Sequence, residues 1–259
     1  MGKKKHSGSK NNKETSEGLD AALVASIVWK VKQKSDKTTV DILAELQDLK
    51  EKGTAAFKAG DARLASENWA RACLDIMRLR QAPDFAKTYV DKPRDTPERQ
   101  YVRKLAEMMF LLNLNLAQNT LKAMEASIAD DDLDLAESLS GSALHALQKA
   151  AAEASVSDLT GMPVAAGGDR DGDIRGGWRA SDAQMAKLWY RKARCHKLCK
   201  EWDDACQGIG LALRFAPTDA TVLAEKESII ELASEMTEEE IDDLMYASSD
   251  DESSYEVLI

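Results

Sequence analysis

From Asp41 onward the apolar residues recur at helical spacing, and the pattern then repeats itself along the chain. A chain written this way closes a core only by laying one helix against the next. No run of strand-forming residues bounded by turn signals competes with it, so the sequence reads as all-α. Hydrophobic residues make up 44% of the 259, which is enough for such a core, while aromatics reach only 5% and prolines number five. Ala, Leu, Glu, Lys and Asp dominate.

Charge divides the chain more sharply than hydropathy does. Of its 45 acids, ten lie from Glu235 to the end, where there is no Lys or Arg, so the other 35 acids balance all 35 bases. A neutral body with an acidic tail lacks the basic surface that nucleic acid requires. The Lys3-Lys4-Lys5 run is read as a solvated end rather than a nucleic-acid patch. No apolar stretch approaches the roughly 18 residues of a membrane helix, and no secretory signal opens the chain. The start Met1-Gly2-Lys3-Lys4-Lys5-His6 has His6 where a myristoylation site wants Ser or Thr. Four irregularly spaced cysteines, Cys73, Cys195, Cys199 and Cys206, suit a reduced compartment. The expectation is a cytoplasmic protein that touches neither membrane nor nucleic acid.

Three segments carry one arrangement of residues. In the last, Trp189, Ala193, Ala205, Ile209, Ala212 and Pro217 fall at positions 4, 8, 20, 24, 27 and 32 counted from Ala186. In the first, Leu49, Gly53, Ala65, Trp69 and Ala72 take positions 4, 8, 20, 24 and 27 counted from Leu46, with a turn at Lys58-Ala59-Gly60-Asp61. In the middle one, Leu112, Asn115, Ala117 and Leu121 precede an acidic linker, and Ala136, Ser140, Ala143 and Leu144 follow it. This spacing resembles the tetratricopeptide unit of about 34 residues, two antiparallel helices with small residues where they cross.

The resemblance implies an all-α fold of three tetratricopeptide (TPR) hairpins in a right-handed superhelix with a C-terminal capping helix. The hairpins are expected at about 41–80, 96–153 and 181–216, and the capping helix at 219–234, within a domain of 41–234. Residues 1–40 then form a polar, mostly disordered extension with a short helix at 20–34, and 235–259 an acidic tail. Gly53, Ala117 and Ala193 are 64 and 76 residues apart, so insertions must separate the hairpins, at 81–94 with its two prolines and at 155–180. Thr96-Pro97-Glu98 reads as a helix start, Ser181 with Gln184 as a capping box, and Thr237 with Glu240 as another.

Catalytic signals are weak. Cys195, His196, Cys199 and Cys206 lack the second ligand pair of a zinc site and read as hairpin core. Asp169, Asp171 and Asp173 imitate a calcium loop, but Ile174 and Ala180 replace its Gly and closing Glu. With three histidines, none in a nucleophile motif, no enzyme, metal or cofactor is expected.

The stretch Leu49-Lys50-Glu51-Lys52-Gly53-Thr54-Ala55-Ala56-Phe57-Lys58-Ala59-Gly60-Asp61 resembles the opening hairpin of chaperone-binding TPR domains, those of the large immunophilins and stress-inducible adaptors. So do Asn115-Leu116-Ala117 and Lys187-Leu188-Trp189-Tyr190-Arg191-Lys192-Ala193. In that family Lys, Asn, Asn, Lys and Arg form a carboxylate clamp on the acidic EEVD-type C-terminal peptide of heat-shock chaperones. Carried over, Lys50, Asn115, Lys187 and Arg191 match, and Thr54 stands where the first Asn would be. Lys187 and Arg191 are four apart, which puts both on one helix face. The resemblance therefore implies a co-chaperone-like adaptor; the alternative is a TPR scaffold for an unrelated protein partner.

Overall fold

The computed structural model describes residues 37–154 and 175–235. The helices expected at 20–34 and from Thr237, the Asp169–Asp173 stretch, most of the 155–180 insertion and the acidic tail beyond Glu235 lie outside the described residues.

The described chain is all-helical, with no strand. In order it comprises α1 (Thr39–Lys58), α2 (Ala62–Gln81), a π-helical turn (Ala86–Val90), α3 (Pro97–Ala129), α4 (Leu133–Ala154), α5 (Asp182–Leu198), α6 (Trp202–Phe215) and α7 (Ala220–Ser234). Side-chain caps open most of the helices by occupying N–H groups that have no partner within the helix. At α1, the Thr38 hydroxyl accepts from the Asp41 amide while the Asp41 carboxylate accepts from the Thr38 amide. Asp61, Thr96 and Asp219 cap α2, α3 and α7, with Pro97 at the first position of α3. At α5 both arms of the Ser181–Gln184 capping box are made.

Three of the connections share one device. Gly60, Asp131 and Lys200 each adopt left-handed backbone, with φ of 83°, 61° and 61°. Each donates its N–H to the carbonyl three residues back, at 3.2, 3.1 and 3.0 Å. The next residue, Asp61, Asp132 or Glu201, donates five residues back, at 2.9, 2.8 and 2.9 Å. That pair of bonds is the Schellman closure of a helix, and it reverses the chain at the same pitch each time. The pairs α1/α2, α3/α4 and α5/α6 are thus antiparallel hairpins with equivalent turns.

Equivalent turns bring equivalent residues together. Four residues past each turn's second donor stand Ala65, Ala136 and Ala205, all buried. Seven residues before the left-handed position stand Gly53, Met124 and Ala193. The sequence register places Ala117 at that middle position. By turn geometry Ala117 lies one heptad further back on the same face, and Met124 takes the place. Helix α3 has 33 residues against 20 in α1, so a small residue can stand a heptad early on the same face. Met tolerates the site because its unbranched side chain bends into irregular gaps.

The crossings are close where side chains are smallest. A Cβ built on Gly53 would stand 2.5 Å from the Trp69 ring nitrogen, and one on Gly208 would stand 3.1 Å from the Ala193 backbone. Trp69 lies flat against α1 and donates Nε1–H to the Lys50 carbonyl at 3.2 Å.

Between hairpins, polar side chains set the register. Asn119 of α3 donates to the Ala62 carbonyl and the Ser66 hydroxyl at the start of α2, at 2.8 and 2.7 Å. The guanidinium of Arg80, at the end of α2, grips the Glu153 carboxylate at the end of α4 at 2.6 and 3.1 Å. Helices α2 and α3 are therefore antiparallel, and α1 runs parallel to α3. Residues 82–96 fold back on the start of α3, where Tyr89 meets Tyr101 at 5.1 Å between ring centroids and Arg99 donates to the Val90 carbonyl. Helix α7 buries Val222 and Ile229 and receives the Lys197 ammonium on Glu225 and Ser228.

Two glycines of α6 separate propensity from crowding. Gly210 has nothing within 4 Å of its missing Cβ, whereas Gly208 faces backbone. Gly210→Ala should stabilise the protein by about 0.5–1 kcal/mol in urea titrations, from helix propensity alone. Gly208→Ala should lose that gain and more, since overpacking a close crossing costs roughly 1–3 kcal/mol. Equal effects at the two positions would contradict the assigned α5–α6 crossing.

Candidate functional site

The first helices of the three hairpins, α1, α3 and α5, carry every residue singled out for peptide binding. On α1, Lys50 is half-buried, and its ammonium stands 3.4 Å from the Gln47 amide oxygen. Thr54, one turn later, donates its hydroxyl to the Lys50 carbonyl at 2.8 Å. A hydroxyl has one proton to give. In this conformation Thr54 therefore has no donor left for a ligand, and it serves to tie the α1 backbone beside Lys50.

On α5, Lys187 is exposed and Arg191 half-buried. Arg191 reaches across to α3 and donates Nη1–H to the Leu114 carbonyl at 2.6 Å. Burial holds its guanidinium down, to a pKa of about 10, still far above neutrality. A guanidinium has five N–H donors, so the contact with Leu114 leaves others to meet an anion. Asn115 follows Leu114 directly and is half-buried. Arg191 and Asn115 are thus neighbours across the α3–α5 seam, with Lys187 one turn away from Arg191.

The α1 pair and the α3–α5 group are not joined by any hydrogen bond or ion pair among the described residues. They are related by the parallel run of α1 and α3. Lys122 of α3 lies 4.1 Å from the centroid of the Phe57 ring of α1. One heptad back from that contact along each helix stand Lys50 and Asn115. Both therefore lie on the faces that bring α1 and α3 together at Phe57 and Lys122.

Lys122 was missed by sequence reasoning. It stands two residues before Met124, as Asn115 stands two before Ala117. By turn geometry it is Lys122 that holds the place the sequence register gave to Asn115. The signal that would have found it is the distance back from the Asp131 turn, not the small residue. Beyond Arg191, the carboxylate of Glu125 pairs with Arg194, whose guanidinium lies 5.8 Å from the Tyr190 ring centroid.

Cys195 and His196 are buried, Cys199 is half-buried and Cys206 is exposed. They do not converge as a four-ligand set: His196 turns its Nδ1 to Glu201, the residue that precedes α6. No helix of the described residues is long and apolar enough to cross a membrane. No protein-family model, curated protein or solved structure matches the chain.

The polar fastening of α3 is testable apart from any ligand. Asn119→Ala removes both donors to α2 and strands the Ser66 hydroxyl beside them. It should cost about 1–3 kcal/mol in thermal or urea unfolding. Asn115→Ala, which breaks no such bridge, should cost less.

Proposed function

We propose that this chain is a TPR-type adaptor, its three hairpins forming a groove along α1, α3 and α5 that holds the acidic C-terminal peptide of a protein partner. The carrying observation is Arg191. A guanidinium drawn across a helix seam, anchored to the Leu114 carbonyl and set one turn from exposed Lys187, is a cation oriented before any ligand arrives. The three equivalent Schellman turns support the reading of the hairpins as repeats of one unit.

In this reading the peptide's terminal carboxylate and the adjacent side-chain carboxylate meet Lys187 and Arg191 on one side. Asn115 and Lys122 on α3 and Lys50 on α1 supply donors on the other. Charge-assisted hydrogen bonds of this kind contribute about 1.5–3 kcal/mol each. Arg suits the anchored position because its planar fork keeps its orientation while it bonds in two directions. The resemblance names the partner class: a heat-shock chaperone whose chain ends in an EEVD-type sequence.

The test is a fluorescence-anisotropy titration of a labelled peptide ending Glu-Glu-Val-Asp against the same peptide amidated at its C-terminus. The free acid should bind and amidation should abolish binding. Absence of binding by either peptide would favour a scaffold that serves an unrelated protein. Lys187→Ala and Arg191→Ala should each weaken binding tenfold or more, with unchanged helicity, at about 1.4 kcal/mol per decade.

Thr54 supplies a gain-of-function check. Its hydroxyl is occupied by Lys50's carbonyl, so Thr54→Asn would place a carboxamide with two N–H donors beside Lys50. Tighter binding of the free-acid peptide is expected. Weaker binding would mean that the α1 face is fitted to a different ligand.

A further inference from the structure

The α5–α6 turn repeats the backbone of the other two hairpin turns and departs from them in its side chains. In each turn one buried residue gives the carbonyl that accepts from five residues ahead: Ala56, Ser127 and His196. The donors are the amides of Asp61, Asp132 and Glu201. The Asp61 and Asp132 carboxylates also cap the helices that follow, accepting from the Leu64 and Leu135 amides at 2.9 and 3.1 Å. Glu201 makes no such cap. Its longer side chain turns back to His196, with Oε2 2.5 Å from the ring Nδ1. In α6 the place of Leu64 and Leu135 is held by Asp204. The three departures fall together. One ring nitrogen of His196 and one carboxylate oxygen each from Glu201 and Asp204 lie within 4.8 Å of one another.

His196 is only 8% exposed, and its Nε2 is buried without a hydrogen bond. Among the described residues, the ring's one polar contact is therefore the one aimed at Glu201. Asp204 is exposed and makes no hydrogen bond or ion pair with the described residues. Burial thus fixes the ring, while both carboxylates face water. We propose that His196, Glu201 and Asp204 form a binding site for a divalent transition-metal ion of the zinc class, with water completing its shell.

The donor set selects the ion. One imidazole with two carboxylates suits zinc, cobalt or nickel, whereas calcium and magnesium are held by oxygen alone. Two carboxylates balance the charge of the ion, and the neutral ring supplies a lone pair. No partner at Nε2 dictates the tautomer, so the ring's hydrogen passes to Nε2 and the ion takes its place between Nδ1 and Glu201. A tetrahedral shell with bonds of about 2.0–2.2 Å sets its ligand atoms about 3.3–3.6 Å apart. Glu201 backs away from the ring to reach that spacing and Asp204 draws in, movements that two exposed side chains can make. The start of α6 opposes a cation with about half an elementary charge, against the two full charges of the carboxylates. The bound ion would clip the end of α5 to the first turn of α6.

The test titrates zinc into the full chain against a chromophoric chelator, with the histidine rings followed by long-range proton–nitrogen NMR. Cys199→Ser and Cys206→Ser are combined in the background, which removes the two accessible thiols as competing ligands. One equivalent should bind, and among His6, His145 and His196 it should shift the His196 ring, at Nδ1. Glu201→Gln and Asp204→Asn should each weaken zinc about tenfold or more with circular dichroism unchanged. Zinc should raise the melting temperature of the parent, magnesium should not, and each carboxamide variant should lose the rise. Zinc that leaves the His196 ring unmoved even in excess, or an affinity unchanged in both carboxamide variants, would overturn the proposal.

Discussion

Helix α3 is the wall on which the rest of this protein is hung. It touches α2 through Asn119, α5 through Leu114 and Glu125, the π-helical turn through Arg99, and α4 more extensively than any other element. A helix with that many neighbours cannot keep a single apolar stripe, and its buried residues run from Arg99 to Ser127 around more than one face. Burying polar groups on several sides costs free energy unless each finds a partner. Arg99, Asn113, Asn119 and Ser127 offset part of that cost by donating to backbone carbonyls, two within α3 and two on neighbouring elements, while the Asn119 carbonyl oxygen is buried without a hydrogen bond. The bonds on neighbours also specify: hydrophobic contact would let α2 slide along α3, but Asn119 accepts only one register.

The all-helical class was legible in the sequence, and so were the helix starts with strong local chemistry. Thr96-Pro97 and the Ser181–Gln184 box act within one turn, so a residue pattern of four suffices to read them. The Gly60 turn was legible for the same reason, because glycine announces left-handed backbone. The equivalent turns at Asp131 and Lys200 were not. Asp and Lys adopt φ near 61° there because the helix ends on either side demand it, a tertiary override of local preference.

The candidate site was legible only in part, and for a related reason. Register was carried forward from small residues, and in the middle hairpin Ala117 offered one a heptad too early. A heptad leaves the helix face nearly unchanged, so Asn115 falls on the same side of α3 as Lys122 but two turns from the place that turn geometry assigns. That place belongs to Lys122. The use of the Thr54 hydroxyl was beyond reach of the sequence, since a threonine one turn after any residue can bond back to that residue's carbonyl or point to solvent.

Arg191 and Lys187 show why two cations one turn apart are not two copies of one device. Lys187 is exposed, keeps its hydration, and would lose side-chain freedom only on meeting a ligand. Arg191 has already lost that freedom on folding, and burial lowers its pKa. The Leu114 carbonyl replaces one lost water contact with a partial charge, not a full one. The guanidinium therefore remains under-solvated and still charged at neutral pH. In the proposed reading, a carboxylate arriving there would complete the coordination of a cation whose dehydration was met when the core closed, so the association itself would bear less of it. On that proposal Lys187 would add attraction that salt can screen, whereas Arg191 would add orientation that salt screens far less.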